Sequence, residues 1–182
     1  EIKDFLEISR YAGERFDLVQ AGGGNSSVKY NNDEMIIKAS GFLLSDVKVN
    51  NGYSKVTTSK IANIVKNKTM VFETDKRKRE NLGATLVQEA TIDKTNRPSI
   101  ETLLHSFLYK YTLHTHPVVV NMIVIQKEYK EILSSIFKDE EFALVSYKTP
   151  GIEIALELDK TLQTFKKIPN IIFLQNHGLI VT

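Results

Sequence analysis

Cysteine and tryptophan are missing from these 182 residues, and histidine and proline occur only four times each. Without cysteine there are no disulfides and no thiolate ligands, so any metal site must be built from imidazole or carboxylate, and a reducing, cytoplasmic compartment fits. Charge is nearly balanced, 24 basic against 22 acidic residues, which leaves no reason to expect nucleic acid or a membrane surface as a partner. No apolar run approaches the ~20 residues of a membrane span, and the first residues lead to no expectation of a signal peptide. The 42% apolar and 25% charged content is that of an ordinary soluble protein of one domain. The chain opens on Glu1 and stops at Thr182, directly on the apolar run Leu179-Ile180-Val181. The expectation is a single domain over residues 1–182 that is cut short at its C-terminus or forms the first part of a longer chain.

Periodicity divides the chain into alternating helices and strands. Ile2, Phe5, Leu6, Ile8, Ala12, Phe16 and Val19 approach a 3.6-residue repeat, predicting an amphipathic helix from residue 2 to about 19 that ends at Gly22-Gly23-Gly24. Val28 and Tyr30 before Asn31-Asn32-Asp33, with Met35-Ile36-Ile37 after it, predict a hairpin. Thr57-Thr58-Ser59 caps a short helix to about Lys66, and Lys76-Arg77-Lys78-Arg79 reads as a solvated loop before a helix near 80–92. Pro98-Ser99 starts a helix to about Tyr109, and Tyr111 to His116 reads as a buried strand. Further helices are expected at 118–126, 128–138 and 151–166, and short strands near 142–147, 170–175 and 179–182. A hairpin at the start, rather than strand–helix–strand crossovers, favours a mixed or antiparallel sheet with helices packed on it.

Three of the four histidines fall in two islands, His114-Thr115-His116-Pro117 and Asn176-His177-Gly178. Side chains two apart on a strand share a face, so His114 and His116 can offer both imidazoles to one ion, and His177 follows the apolar run Ile171 to Leu174 that a neighbouring strand could supply. Three histidines leave coordination positions open, as a catalytic zinc requires. Each island alone is also compatible with a hydrogen-bonded strand end or a turn.

Gly22 to Ser27 is a glycine-rich bend whose backbone N–H groups, with Asn25 and the serines, can face a phosphate, or can simply end a helix. It is neither a P-loop nor a dinucleotide fingerprint, because no Gly-Lys-Ser/Thr follows and the element order is wrong. Ser40-Gly41 and Ser99 are further donors of the same kind. Glu101 reads either as a carboxylate in the first turn of a helix or as a general acid/base near the metal. His105, one turn later, reads as a packing or supporting histidine rather than a ligand.

Taken in order, Gly23-Gly24-Asn25-Ser26-Ser27, Lys38-Ala39-Ser40-Gly41, Pro98-Ser99-Ile100-Glu101 with His105, His114-Thr115-His116-Pro117 and Asn176-His177-Gly178 resemble the class II aldolase/adducin family. The interval from Arg97 to His114 is most similar to the aldolase domain of rhamnulose-phosphate-aldolase-like proteins fused to a short-chain dehydrogenase. The resemblance implies a three-layer α/β/α sandwich with a central, largely antiparallel sheet, and a cyclic homotetramer with active sites between subunits. It implies Zn2+, or another divalent metal, on His114, His116 and His177. Glu101 would be a ligand at rest and the acid/base in turnover. Gly24, Asn25, Ser40, Gly41 and Ser99 would hold the phosphate of a sugar phosphate. Ile100 stands where the family often has a second small polar residue, which removes one donor. The activity implied is retro-aldol cleavage of a ketose 1-phosphate to dihydroxyacetone phosphate and an aldehyde. Epimerase or dehydratase chemistry on the same metal site, or a non-catalytic adducin-like assembly module, are the alternatives.

Overall fold

Among the described residues, seven strands form one sheet in the order β3-β2-β1-β4-β7-β6-β5. The structure, a computed structural model, describes residues 1–30 and 32–182. The strands are β1 (Asn25–Lys29), β2 (Glu34–Lys38), β3 (Tyr53–Thr57), β4 (Tyr111–Thr115), β5 (Phe142–Val145), β6 (Ile171–Leu174) and β7 (Gly178–Val181). Every neighbouring pair is antiparallel except β5 with β6, so the largely antiparallel sheet is as expected. The helices are α1 (Ile2–Gly13), α2 (Thr58–Ile64), α3 (Lys68–Val71), α4 (Lys76–Glu89), α5 (Thr102–Ser106), α6 (Val118–Val124), α7 (Tyr129–Ile136) and α8 (Ile152–Leu162).

The three layers follow from strand alternation. Met35 and Ile37 of β2, and Ile172 and Leu174 of β6, point into the larger core beneath the helices α2, α4, α5 and α8. Their neighbours face the other way: Ile36 packs with Phe5 and Leu6 of α1, and Phe173 with Val124 of α6 and Leu133 of α7. Each such side chain contributes about 1.5–3 kcal/mol when fully buried. Among the described residues, no helix is long and apolar enough to cross a membrane.

Four local readings need correction. Helix α1 ends at Gly13 rather than near residue 19: the chain goes on as separate turns, with Arg15 N on the Ala12 carbonyl and Leu18 N on the Arg15 carbonyl, while the carbonyls of Asp17 and Leu18 accept from Val118 and His116. Phe16 is consequently 77% exposed. The basic run 76–79 is the first turn of α4: Asp75 caps it through Lys78 N, and Glu153 of α8 pairs with Lys76 and Arg79, offsetting cations at the positive end of a helix. Helix α5 is only five residues long, and Glu101 is its N-cap residue rather than part of its first turn. Strand β3 is an addition, recruited by pairing with β2. The hairpin strands β1 and β2 form as read, while Asn31 of the expected turn lies outside the described residues.

Candidate metal centre

Strand β4 lies at the middle of the sheet, so His114 on it is wholly buried. His116 follows one residue after β4 ends, at the start of the Pro117 turn into α6, yet its ring still returns to His114 with Nε2 to Nε2 at 3.0 Å. His177 sits in the tight turn between β6 and β7, where Asn176 adopts a φ of 53°, and its Nε2 lies 3.3 Å from that of His114. Glu101 brings Oε1 to 3.3 Å from the Nε2 atoms of both His114 and His177. The residues of the expected metal set are thus brought together from three separate segments.

Close backbone approach makes room for the rings. A Cβ on Gly23 would stand 2.7 Å from His116 Nδ1, and one on Gly178 would stand 2.3 Å from the Thr115 carbonyl oxygen and 2.9 Å from His116 Cδ2. Glycine at these two positions is therefore what lets the bend and the β6–β7 turn close against the imidazoles.

The donor set suits a small divalent cation. Bonds of roughly 2.0–2.1 Å at tetrahedral angles imply ligand–ligand edges of about 3.3–3.4 Å; His114, His177 and Glu101 close one such face with edges of 3.3, 3.3 and 3.3 Å, while His116 reaches His114 at 3.0 Å and stands wider of the others, the three imidazoles lying within 4.8 Å of one another. His114 Nδ1 donates to the Leu179 carbonyl oxygen at 3.0 Å, which turns the Nε2 lone pair into the cluster. Three imidazole nitrogens and a carboxylate so placed need positive charge between them, from protons or from one cation. Without a metal, the effect shows as opposed shifts. Burial pushes the Glu101 carboxyl up, but His114 and His177 outweigh it and hold it well below the usual carboxylate range. Burial lowers His114, yet Glu101 and the Leu179 carbonyl raise it on balance. Burial, then the charges of His114 and His177, brings His116 down to about 4.

The expected phosphate residues form two groups. Asn25 pairs across the β1–β4 ladder with His114 and is 1% exposed. Its Oδ1 accepts from Ser26 N, while its Nδ2 is buried without a partner, a donor in want of an acceptor beside the cluster. Gly24 precedes it, against the His114 carbonyl. Ser40, Gly41 and Ser99 gather where Ala39 bridges Pro98. There Ser40 N donates to Arg97 O at 2.9 Å and Ser99 Oγ accepts from Glu101 N at 3.3 Å, so the protons of both hydroxyls remain to be donated.

Sequence reasoning quoted Lys38 in the Lys38-Ala39-Ser40-Gly41 motif but gave it no role; it is 4% exposed and donates to the Phe42 carbonyl at 2.8 Å, holding the Ser40-Gly41 turn. Burial lowers its pKa and the Glu101 charge opposes this, so the ammonium lies within the field of the site. Only its place beside Ser40-Gly41 could have signalled it.

A family model described as the Class II Aldolase and Adducin N-terminal domain matches residues 3–182. The chain is 27% identical over 188 residues to a Bacillus subtilis (strain 168) protein named uncharacterized oxidoreductase YuxG, a match that takes in 98% of this chain and 26% of that protein. It therefore spans about a quarter of the length of this curated relative. The N-terminal class II aldolase domain of a conserved protein from Thermoplasma acidophilum has a similar structure, with a TM-score of 0.81 at 25% identity, covering 100% of this chain and 83% of that one. L-fuculose-1-phosphate aldolase from Thermus thermophilus shares the fold at a TM-score of 0.58 and 16% identity, covering 99% and 77% of the two chains.

Proposed function

Because the chain belongs to the class II aldolase and adducin family, we propose that it is a zinc-dependent aldolase that reversibly cleaves a ketose 1-phosphate to dihydroxyacetone phosphate and an aldehyde. The observation that carries this reading is the meeting of Glu101 Oε1 with the Nε2 atoms of His114 and His177, His116 closing on His114, beside the unpaired Asn25 Nδ2. His114, His116, His177 and Glu101 would hold the cation. A bound divalent ion supplies Lewis-acid stabilisation for the negative charge that develops on the carbonyl oxygen next to the breaking carbon–carbon bond.

The remaining work falls to this chain's own groups. In cleavage, the hydroxyl on the departing carbon gives up its proton as it becomes the aldehyde carbonyl, and Glu101 returns a proton to the carbon that has lost its neighbour; in condensation both transfers reverse. The Asn25 amide and the Ser40 and Ser99 hydroxyls, with the Gly24 and Gly41 backbone, orient the phosphate so that the carbonyl faces Glu101. Glu101 and His177 are only 13% and 10% exposed, which limits stray protonation by water. A homotetramer belongs to the same reading, and Val119, Met122 and Ile125 of the α6 segment, 69%, 61% and 65% exposed, offer an apolar contact face.

The curated relative bears the name oxidoreductase, but most of its length lies outside this match. Within residues 1–182 the glycine bend leads into strand β1, the reverse of a dinucleotide-binding order, so no hydride transfer is assigned to this unit.

The test is cleavage by chelator-stripped protein on a panel of ketose 1-phosphates, before and after stoichiometric zinc. Restoration of dihydroxyacetone phosphate release is expected, and Glu101→Gln is expected to abolish it. Epimerised or dehydrated products without that release would replace the aldolase by another sugar-phosphate enzyme. Failure to bind metal, with assembly on a partner protein, would leave an adducin-like module.

A further inference from the structure

Strand β1 carries a polar stripe on the face turned to α5. Asn25, Ser27 and Lys29 alternate along one side of the strand. Asn25 lies opposite His114 in the ladder, whereas Ser27 and Lys29 both reach α5. Ser27 Oγ is 2.7 Å from His105 Nδ1. Lys29 Nζ donates to the Ser106 carbonyl at 2.9 Å and also to the Leu108 carbonyl, gripping the C-terminal end of the same helix. These contacts lie outside the proposed ligand set.

Helix α5 needs such anchors. Its five residues are far short of a self-sustaining helix. Leu103 and Leu104 bind it to the core, but apolar contact is non-directional and leaves rotation and axial slip loosely set. Glu101, its N-cap residue, makes no side-chain capping bond. Its carbonyl accepts from Leu104 N at 3.0 Å and from His105 N at 3.4 Å, so wherever the backbone of His105 is held, that of Glu101 is held one turn away. His105 is completely buried, yet its Nε2 has no partner, an expense that apolar packing alone would not require. Burial first, then the His114 charge, brings its pKa down to about 3, so the ring is a neutral imidazole with one committed nitrogen.

We propose that His105, through its bond to Ser27 and with the Lys29 clamp beside it, is a positioning residue that fixes Glu101 against His114 and His177. The proposal rests on the reading of that cluster as a metal centre. His105 supplies no ligand and touches no reacting atom; it sets the axial position of the residue that does both.

The test compares zinc affinity, by chelator competition, with the visible spectrum of the cobalt(II)-loaded protein. His105→Phe keeps the bulk and removes the bond, while His105→Asn keeps a polar atom near the Nδ1 position. His105→Phe is expected to weaken zinc binding about 10-fold and to move the cobalt spectrum toward that of Glu101→Gln. His105→Asn is expected to restore most of the affinity. Added to Glu101→Gln, His105→Phe should cost no further affinity, because both act through one carboxylate. Affinity within twofold of the parent in folded His105→Phe overturns the proposal, as does an effect that multiplies with that of Glu101→Gln. If His105→Phe does not fold, Ser27→Ala removes the same bond with little change in volume and carries the same two outcomes. A parent protein that takes up neither zinc nor cobalt overturns the metal reading itself; a parent that binds normally while the variants are silent overturns only the role of His105.

Discussion

His114 Nδ1 lies 3.0 Å from the carbonyl oxygen of Leu179, on the strand that pairs with its own. That bond commits the ring N–H to the sheet and leaves the opposite nitrogen free to accept a cation. His114 therefore has a structural and a chemical role, whereas His177, 10% exposed in a turn, has no hydrogen bond at Nδ1. Replacing either with alanine should weaken zinc binding strongly. Only His114→Ala should also lower the stability of the metal-free protein, by about 1–3 kcal/mol. Chelator competition and urea unfolding of both variants would separate the two roles; equal stabilities would remove the sheet bond from the argument.

Acidity should weaken the metal-free fold in a defined window. His116 and His105 are held down to about 4 and about 3, against 6.5 for an ordinary imidazole, chiefly by burial. Between roughly pH 6.5 and 4 the unfolded chain binds protons at these sites and the folded chain does not, so stability falls as pH falls. Glu101, shifted down, acts in the same sense further into acid. His114 is shifted up and opposes them: its contribution is complete below 6.5 and fades as pH rises through its folded value. The urea midpoint of metal-free protein should drop between about pH 7 and 4.5, with a shallower drop in His105→Phe. A flat midpoint would mean that these rings are not buried neutral.

The histidine cluster was legible because two short spacings encode it: His114 and His116 flank one strand residue, and His177 precedes the glycine that opens β7. Strand alternation and a tight turn are local rules, and they were enough to place three imidazoles. What the chain did not disclose locally was settled by remote partners. Strand β3 exists through its ladder with β2, the segment after α1 is tied through its carbonyls to residues after β4, and the cationic start of α4 is compensated by Glu153 on α8. The anchoring roles of Lys38 and Lys29 were hidden for the same reason, since a lysine on a strand reads as exposed until the carbonyls that receive it are seen.

Three glycines in and near the site make a graded series. A Cβ on Gly22 meets nothing within 4 Å, one on Gly23 meets His116 Nδ1 at 2.7 Å, and one on Gly178 meets the Thr115 carbonyl at 2.3 Å. Gly22→Ala should change stability by no more than about 0.5 kcal/mol and leave zinc binding intact. Gly178→Ala pushes against backbone that cannot yield cheaply, and should cost about 1–3 kcal/mol together with loss of zinc affinity. Gly23→Ala should be nearly as stable as the parent but displace the His116 ring, visible as an altered cobalt spectrum. If Gly22→Ala perturbs the spectrum as much as Gly23→Ala, the contact with His116 is not the cause.

Asn25 offers the sharpest separation of substrate from metal. Its Nδ2 is buried, unpaired and next to His114 across the ladder, while its Oδ1 is already taken by Ser26 N. Asn25→Asp keeps the shape and the bond to Ser26 but puts an anion where the proposed phosphate donor stood. Ground-state binding of a phosphorylated substrate should then suffer by tenfold or more, appearing in KM rather than in kcat if phosphate binding is uniform along the reaction. Zinc affinity should hold or rise slightly, because an added negative charge beside a cation is favourable. Asn25→Ala should show the intermediate loss expected from removing a donor without adding repulsion. Should Asn25→Asp instead lower zinc affinity and leave KM unchanged, the unpaired amide belongs to the support of the metal cluster, and the phosphate must be sought at Ser40, Gly41 and Ser99 alone.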